Sequence, residues 1–155
     1  MSDWPSLHES VVRDFAAAWA EPDPRAFDAL LAEDVELVQP LLAACTGKRR
    51  WQGELERLLD FVPDLRSTVL SWSGRAEILF IEHRLEATIG SGSVRVPAVD
   101  KLWLTEAGLI ARRHAYFDPQ PFTQRVVQHP GYWLPWWRSG LGPLLGRRRL
   151  PGFTR

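Results

Sequence analysis

A β-hairpin over residues 99–117 constrains the fold of this chain more than any other segment. Two stretches with strand-like alternation flank a Thr105-Glu-Ala-Gly108 turn, and the second ends at Asp118-Pro119. Asp100 lies inside the first strand, where an ionisable side chain costs free energy unless it is paired or functional. The sequence therefore predicts an antiparallel hairpin that carries an inward-facing carboxylate.

Apolar spacing and turn residues predict the other elements. In chain order they are a helix over 7–20 that opens with a capping box at 6–9, a helix that starts at Asp23-Pro24, a strand over 35–38, a loop over 41–47, a helix over 48–62, and strands over 65–73, 76–89, 94–104 and 109–117. This order predicts an α+β fold with the helices gathered on one face of a mostly antiparallel sheet.

Strand alternation predicts which side chains share a face. Asp100 falls on the more apolar side of its strand, and His83 is the one polar residue on the inward stripe of residues 79–89. For the last strand, two registers remain open. A four-residue turn places Arg113, Ala115 and Phe117 beside Asp100, whereas a five-residue turn places His114, Tyr116 and Asp118 there.

Charge and composition exclude several classes of protein. The 19 acidic residues all lie at or before Asp118, whereas six of the 19 basic residues lie beyond residue 120. The acidic body argues against nucleic acid as a partner. We predict a cytoplasmic protein, because Cys45 is the single cysteine, no signal peptide is evident, and no apolar run reaches the roughly 18 residues of a membrane helix.

The chain divides by composition into a domain over 1–122 and an extension over 123–155 that is rich in tryptophan, arginine and proline. Two interpretations of the extension remain open. Its aromatic and basic residues, concentrated at 132–138 and 147–149, suit an anionic membrane surface, and they equally suit packing on the acidic body or on a dimer partner. Because prolines interrupt a long amphipathic helix, we favour packing on protein.

The paired N-terminal helices, the strand Asp34-Val-Glu-Leu-Val-Gln-Pro40 and the ending His114-Ala-Tyr-Phe-Asp-Pro119 resemble the SnoaL-like polyketide cyclase and ketosteroid isomerase group of the nuclear transport factor-two-like superfamily. The resemblance covers residues 7–120 and favours the four-residue turn. It implies a cone in which a curved sheet wraps around three N-terminal helices and encloses an apolar pocket. It also implies a homodimer and a small apolar, polyketide-like or steroid-like ligand.

The catalytic residues of related enzymes carry over only in part. The resemblance places the isomerase base at Gln39, the isomerase tyrosine at Phe15 and the second oxyanion donor at Asp100. The arginine and second aspartate of epoxide hydrolases fall at Ala98 and Ala115. Only Asp100 keeps its type, so none of these mechanisms transfers whole.

The candidate site is built around Asp100 and His83, an acid–base pair on one curved sheet. Candidate substrate-binding residues are Phe15, Trp19, Gln39, Trp51, Leu85, Arg113 and Phe117. Simple core packing, a satisfied core histidine and a salt bridge from Arg113 are the competing structural interpretations. Asp118 followed by Pro119 is typical of a helix cap rather than a catalyst.

Two functions follow from these residues. The first is cofactor-independent acid–base chemistry on a small molecule, of cyclase, isomerase, dehydratase or hydrolase type. The second is a non-catalytic ligand-binding or protein-interaction module with a degenerate site. The sequence contains no dinucleotide-binding glycine motif and no zinc-type spacing, so we predict neither a cofactor nor a metal.

Overall fold

The computed structural model describes residues 3–42 and 44–141. Within them the elements are α1 (Trp4–Ala20), β1 (Leu31–Val38), β2 (Cys45–Thr46), α2 (Lys48–Phe61), β3 (Arg66–Arg75), β4 (Ile78–Ile89), β5 (Gly92–Leu104), β6 (Ile110–Phe117), α3 (Gln120–Gln128), a 3₁₀ turn (Pro130–Tyr132) and α4 (Trp133–Ser139). The strands form one open sheet in the order β2-β1-β6-β5-β4-β3. Among the strands of the described residues only the β1–β6 pair is parallel, so the predicted α+β fold with a mostly antiparallel sheet is confirmed.

The β5–β6 hairpin has the register that a four-residue turn predicts. Asp100 lies opposite Ala115, and Leu102 lies opposite Arg113. The amide of Thr105 donates to the carbonyl of Leu109 over 2.8 Å. Gly108 adopts a φ of 78°, a left-handed conformation that glycine reaches without a steric penalty. The inner face of this hairpin therefore carries Asp100 and Arg113 together.

Helix α1 starts earlier than the sequence predicts. Asp3, not Ser6, is the N-cap: its carboxylate accepts the amide of Ser6 over 3.5 Å, and Pro5 sits in the first turn, where its missing N–H costs nothing. The predicted apolar stripe is buried, with Val11, Phe15 and Trp19 facing the sheet. The predicted cap at Ser6 was wrong because Asp3 and Ser6 are both residue types that cap helices, and both lie near this end of the helix.

The predicted second helix is wrong. Residues 24–30 form successive turns in which amides bond three residues back, as from Asp28 to Arg25 and from Leu30 to Phe27. Strand β1 then begins at Leu31, directly after the last of these turns, so they do not continue into a regular α-helix. Asp23 does cap these turns by accepting the amide of Arg25 over 2.7 Å. Two helices, α1 and α2, therefore cover the sheet before the long strands.

The C-terminal helices pack on the body. Asp118 accepts the amide of Gln120 over 2.9 Å at the start of α3, which is a structural role at this junction. Helix α3 spans the proposed boundary at residue 122. Trp136 of α4 is buried and contacts Phe61 of α2 edge-on, with ring centroids 5.3 Å apart. The basic run at 147–149 lies outside the described residues.

Candidate functional site

A row of polar side chains crosses the inner face of the sheet. Ser67 on β3, His83 on β4, Asp100 on β5 and Arg113 on β6 are all buried. Each occupies an inward position in the strand alternation, and neighbouring strands bring consecutive members side by side. Gln39, directly after β1, extends the row. We call these five residues the polar row.

Hydrogen bonds and close polar contacts join the polar row into one chain. Oγ of Ser67 and Nδ1 of His83 share a hydrogen bond of 2.6 Å. Nε2 of His83 lies 3.4 Å from Oδ1 of Asp100. Arg113 donates from Nε to Oδ2 of Asp100 over 2.6 Å and from Nη1 to Oε1 of Gln39 over 2.6 Å. Every side chain of the row therefore has a polar neighbour.

Asp100 is an ionised member of this row. Burial acts to raise the pKa of its carboxyl, but the charge of the adjacent Arg113 guanidinium and the contact with His83 outweigh burial and lower the pKa. The side chain is fully buried, so the ion pair replaces its lost hydration. At neutral pH Asp100 is an acceptor for protons and hydrogen bonds rather than a proton donor.

Aromatic rings surround the charged end of the row. The guanidinium carbon of Arg113 lies 5.8 Å from the ring centroid of Trp19 and 5.5 Å from that of Trp51. Trp19 stacks on the imidazole of His83 at 6.4 Å, and Phe15 meets it edge-on at 5.6 Å. These contacts fix the positions of both cationic or potentially cationic side chains and exclude bulk water from them.

A largely apolar cavity of about 40 Å³ adjoins the polar row. Six of the candidate site residues line it: Trp19, Gln39, His83, Leu85, Arg113 and Phe117. Phe15, Trp51 and Asp100 lie behind this wall, where they contact the lining residues instead. The structure thus brings all nine candidates together, six at the cavity surface and three in support.

Sequence analysis missed two parts of the site. Ser67 alternates with Leu65 and Val69 on β3, so strand periodicity carried a signal for its inward position. Trp136 and Leu141 close the cavity from the C-terminal segment, next to Phe61. Periodicity within a strand or helix gives no indication of such a contact, because it depends on how α4 packs on α2.

Four buried polar atoms at the site lack a hydrogen-bond partner among the described residues. They are Nε1 of Trp19, Nε1 of Trp51, Nε2 of His83 and Oδ1 of Asp100. Nε2 of His83 and Oδ1 of Asp100 lie 3.4 Å from each other, and the two indole nitrogens belong to the tryptophans that flank Arg113.

Metal binding has no support in the described part of the chain. There, no three His, Cys, Asp or Glu side chains come close enough together to hold an ion. Within the same residues, no helix is long and apolar enough to cross a bilayer.

Residues 12–113 match the family described as the SnoaL-like domain. The match covers more than half of the chain, so this protein belongs to the SnoaL-like domain family. The resemblance to the nuclear transport factor-two-like superfamily is thereby confirmed. No curated protein sequence shows a significant match to the chain.

Solved structures share the fold at low sequence identity. A hypothetical protein with a ketosteroid isomerase-like fold from Catenulispora acidiphila, in complex with trimethylamine, is 22% identical with a TM-score of 0.67, over 74% of this chain and 90% of the other. IdmH, a proposed polyketide cyclase from Streptomyces antibioticus, is 13% identical with a TM-score of 0.66, over 76% and 97%. An LEH-like epoxide hydrolase from M. tuberculosis is 18% identical with a TM-score of 0.63, over 83% of this chain and 96% of the other. These likenesses establish the cone fold alone.

Proposed function

We propose that the protein binds a small, flat, largely apolar molecule bearing a carbonyl or phenolic oxygen, and that His83 exchanges a proton with it without a cofactor. The observations that carry this proposal are the contact of 3.4 Å between Nε2 of His83 and Oδ1 of Asp100 and the place of His83 in the wall of an apolar cavity. An imidazole backed by an ionised carboxylate is a common device for proton transfer.

The polar row assigns a role to each group in that step. In the tautomer in which Nδ1 of His83 donates to Ser67, the lone pair of Nε2 is free to take a proton from the ligand. The resulting imidazolium is stabilised by the negative charge of Asp100, 3.4 Å away. Arg113 keeps Asp100 ionised and so keeps this partner available throughout the transfer.

The negative charge left on the ligand must be stabilised by hydrogen-bond donors, and the site contains such donors. The indole N–H of Trp19 is unsatisfied, and Trp19 lines the cavity. Arg113 uses Nε and one hydrogen of Nη1 in the two bonds described, which leaves three of its five N–H groups. Hydrogen bonds from these groups to an enolate or phenolate oxygen would be strongest as charge develops on it.

The cavity must enlarge to admit such a ligand. A cavity of about 40 Å³ holds only a few atoms, whereas binding of benzene requires a void on the order of 150 Å³. Trp136 and Leu141 form the wall that belongs to the C-terminal segment. Displacement of this wall opens the cavity and leaves the polar row undisturbed.

The second candidate function is ligand binding without catalysis. It is favoured by the tie of Asp100 to Arg113 and by Ala115, which stands opposite Asp100 where related enzymes keep a second acid. A site of this kind would hold the same class of molecule and leave it unchanged.

One experiment separates the two candidates. A panel of two-ring and three-ring flat ketones, starting with 2-tetralone, is titrated against tryptophan fluorescence, and exchange of the ketone α-protons is followed by NMR in deuterated buffer. We expect binding and accelerated exchange by the wild type. We expect His83→Gln to retain binding and lose most of the acceleration, whereas Tyr116→Phe, on the outer face, retains both.

The outcomes are distinct. Binding with no acceleration in the wild type would establish the non-catalytic module. Acceleration that survives in His83→Gln would remove His83 from the mechanism. The absence of binding for every member of the panel would contradict both candidates.

A further inference from the structure

An open polar cleft of about 520 Å³ lies between helix α3 and the first residues of strand β5. Five of the side chains that line it carry hydrogen-bond donors: Ser93, Arg95, Gln124, Arg125 and Gln128. The cleft shares no lining residue with the apolar cavity. Its volume falls in the range of about 300–1,000 Å³ that is typical of small-molecule sites. We call it the α3–β5 cleft.

The α3–β5 cleft carries positive charge and no acidic side chain. Arg95 and Arg125 line it, whereas no Asp or Glu of the described residues does. The rest of the chain contains neither Asp nor Glu, so it adds no acidic side chain. Glu86 contacts Nε of Arg95 over 3.2 Å, but Arg66 and Arg84 hold the same carboxylate, and three arginines around one carboxylate leave a net charge of +2.

Arg125 enters the cleft with its hydrogen-bonding capacity unused. Its side chain is half-buried and makes no hydrogen bond or ion pair with another described residue. A guanidinium presents five N–H donors in a planar fork that matches the oxygens of a carboxylate or a phosphate. The cleft therefore offers a complete anion-binding fork.

The absence of a side chain at Gly92 makes room for this guanidinium. A Cβ added at Gly92 would lie 2.6 Å from Nη1 of Arg125 and 2.7 Å from its Cζ, well inside van der Waals contact. His129 lies over Gly90 in the same way, since a Cβ there would lie 2.5 Å from its Cδ2. The two glycines at the β4–β5 turn thus hold α3 close and fix the position of Arg125.

Helix α3 turns a neutral polar side towards the cleft as well. Its buried residues, Phe122 and Val126, pack in the core. Gln124 and Gln128, four residues apart, lie on the cleft side, and Ser93 faces them from β5. Amide and hydroxyl groups both donate and accept hydrogen bonds, so they suit the uncharged part of an organic ligand.

We propose that the α3–β5 cleft binds the phosphate group of a small phosphorylated molecule. Arg125 holds two phosphate oxygens, and the guanidinium of Arg95 supplies a second positive charge. Two guanidinium groups favour a phosphate monoester, with a charge of about −1.5 to −2 at neutral pH, over a singly charged carboxylate. The site is independent of the proposed proton transfer, because no residue of the cleft lines the apolar cavity.

The test follows the backbone amide of Ser93 by NMR in the isotope-labelled full chain. Chloride is replaced stepwise, at constant ionic strength, by inorganic phosphate, glycerol 2-phosphate or acetate. We expect saturable shifts for both phosphates, with glycerol 2-phosphate the tighter ligand and acetate the weakest. Arg125→Met should weaken the binding of glycerol 2-phosphate by about tenfold or more, because it removes charge-assisted hydrogen bonds.

Arg75→Met is the matched control for charge. Arg75 is exposed and, like Arg125, has no ion pair among the described residues. It pairs with Ile78 at one end of β4, whereas Gly92 pairs with Ile89 at the other end. Arg75→Met therefore removes the same charge far from the cleft and should bind glycerol 2-phosphate as the wild type does.

Gly92→Ala tests the position of Arg125 without any change in charge. The added Cβ displaces a guanidinium at the end of a flexible side chain, so we expect the fold to persist, as checked by circular dichroism, and the affinity for glycerol 2-phosphate to fall several-fold. Gly53→Ala is its control, because a Cβ at Gly53 meets no atom within 4 Å.

Four outcomes would overturn the proposal. The first is a wild type without saturable shifts for either phosphate. The second is an equal loss of affinity in Arg75→Met and Arg125→Met, or wild-type affinity in Gly92→Ala, since either would separate binding from this cleft. The third is acetate binding as tight as that of the phosphates. The fourth is inorganic phosphate binding as tight as glycerol 2-phosphate, which would assign the cleft to the free ion.

Discussion

Two arginine–carboxylate clusters lie on opposite faces of the same sheet and differ in nearly every physical respect. On the inner face, Arg113 bonds a fully buried Asp100 over 2.6 Å. On the outer face, Glu86 of β4 is approached by Arg84, Arg95 and Arg66 at 3.1, 3.2 and 3.4 Å. The carboxylate of the outer cluster has more arginine partners, whereas the carboxylate of the inner cluster has less contact with water.

The difference between the clusters lies in what replaces hydration. The pKa of each carboxyl is lowered, against an opposing contribution from burial, by the arginines beside it. Water also solvates Glu86 and its arginines and screens their attraction, so no single arginine there is essential. Asp100 has exchanged water for Arg113, and the loss of that one partner leaves an uncompensated buried charge.

The largest expected effect comes from breaking the inner pair. Arg113→Met keeps much of the side-chain volume but removes the charge opposite Asp100. We expect the free energy of unfolding to fall by about 3–5 kcal/mol, measured by urea denaturation. A loss below about 1 kcal/mol, the range of exposed pairs, would mean that water already reaches Asp100 and that the contrast between the clusters is false.

A smaller effect is expected on lowering the pH. The contribution of Asp100 to the free energy of unfolding then changes in opposite directions in the wild type and in Arg113→Met. In the wild type the folded pKa of Asp100 is lowered, so its contribution is present above the unfolded value of about 3.9 and is lost as the pH falls through the folded pKa. In Arg113→Met burial dominates and raises that pKa, so protonation on acidification relieves the buried charge.

The stability difference between wild type and Arg113→Met should therefore narrow as the pH falls from neutral towards 4. Urea midpoints over this range provide the measurement. The double variant Asp100→Asn, Arg113→Met retains His83 and lacks the titrating carboxyl, so it should show no such narrowing relative to Asp100→Asn alone. A constant difference across the range would assign the effect of Arg113 to packing rather than charge.

The smallest effect is expected on the outer face. Arg95→Met removes one of three guanidinium partners of Glu86, and solvent and the remaining arginines take its place. We expect the urea midpoint to stay within experimental scatter, with any change reduced further by added salt. A loss comparable to that of Arg113→Met would show that the outer cluster acts as a unit.

The inner cluster was accessible from sequence to a large extent. Period-two alternation, a short-range rule of strand geometry, predicts the inward direction of Asp100 and His83. The residues left two registers open at the turn after Thr105, and the family resemblance favoured the one that brings Arg113 beside Asp100. Ser67 also follows period-two alternation but was not predicted. An uncharged serine inside a strand, unlike a buried charge, gives no indication of a functional role.

Other predictions failed, or were never made, for physical reasons. Asp23 followed by Pro24 is a helix-start signal, yet here the same residues cap a series of turns that runs directly into β1. The contact of Trp136 with Phe61 joins segments 75 residues apart, and no local pattern encodes it. Local sequence thus predicts the polar side of the site well and its closing wall poorly.

The wall formed by the C-terminal segment would make the affinity of the site depend on two equilibria. One is the opening of the wall, and the other is the binding of ligand to the open form. If a ligand larger than about 40 Å³ enters as proposed, it binds only molecules in which the segment with Trp136 and Leu141 has moved aside. The observed dissociation constant is then the intrinsic constant divided by the fraction of open molecules. Ligand capture is slowed in the same proportion, so a substitution at α4 would change how quickly the site fills without touching the residues that hold the ligand.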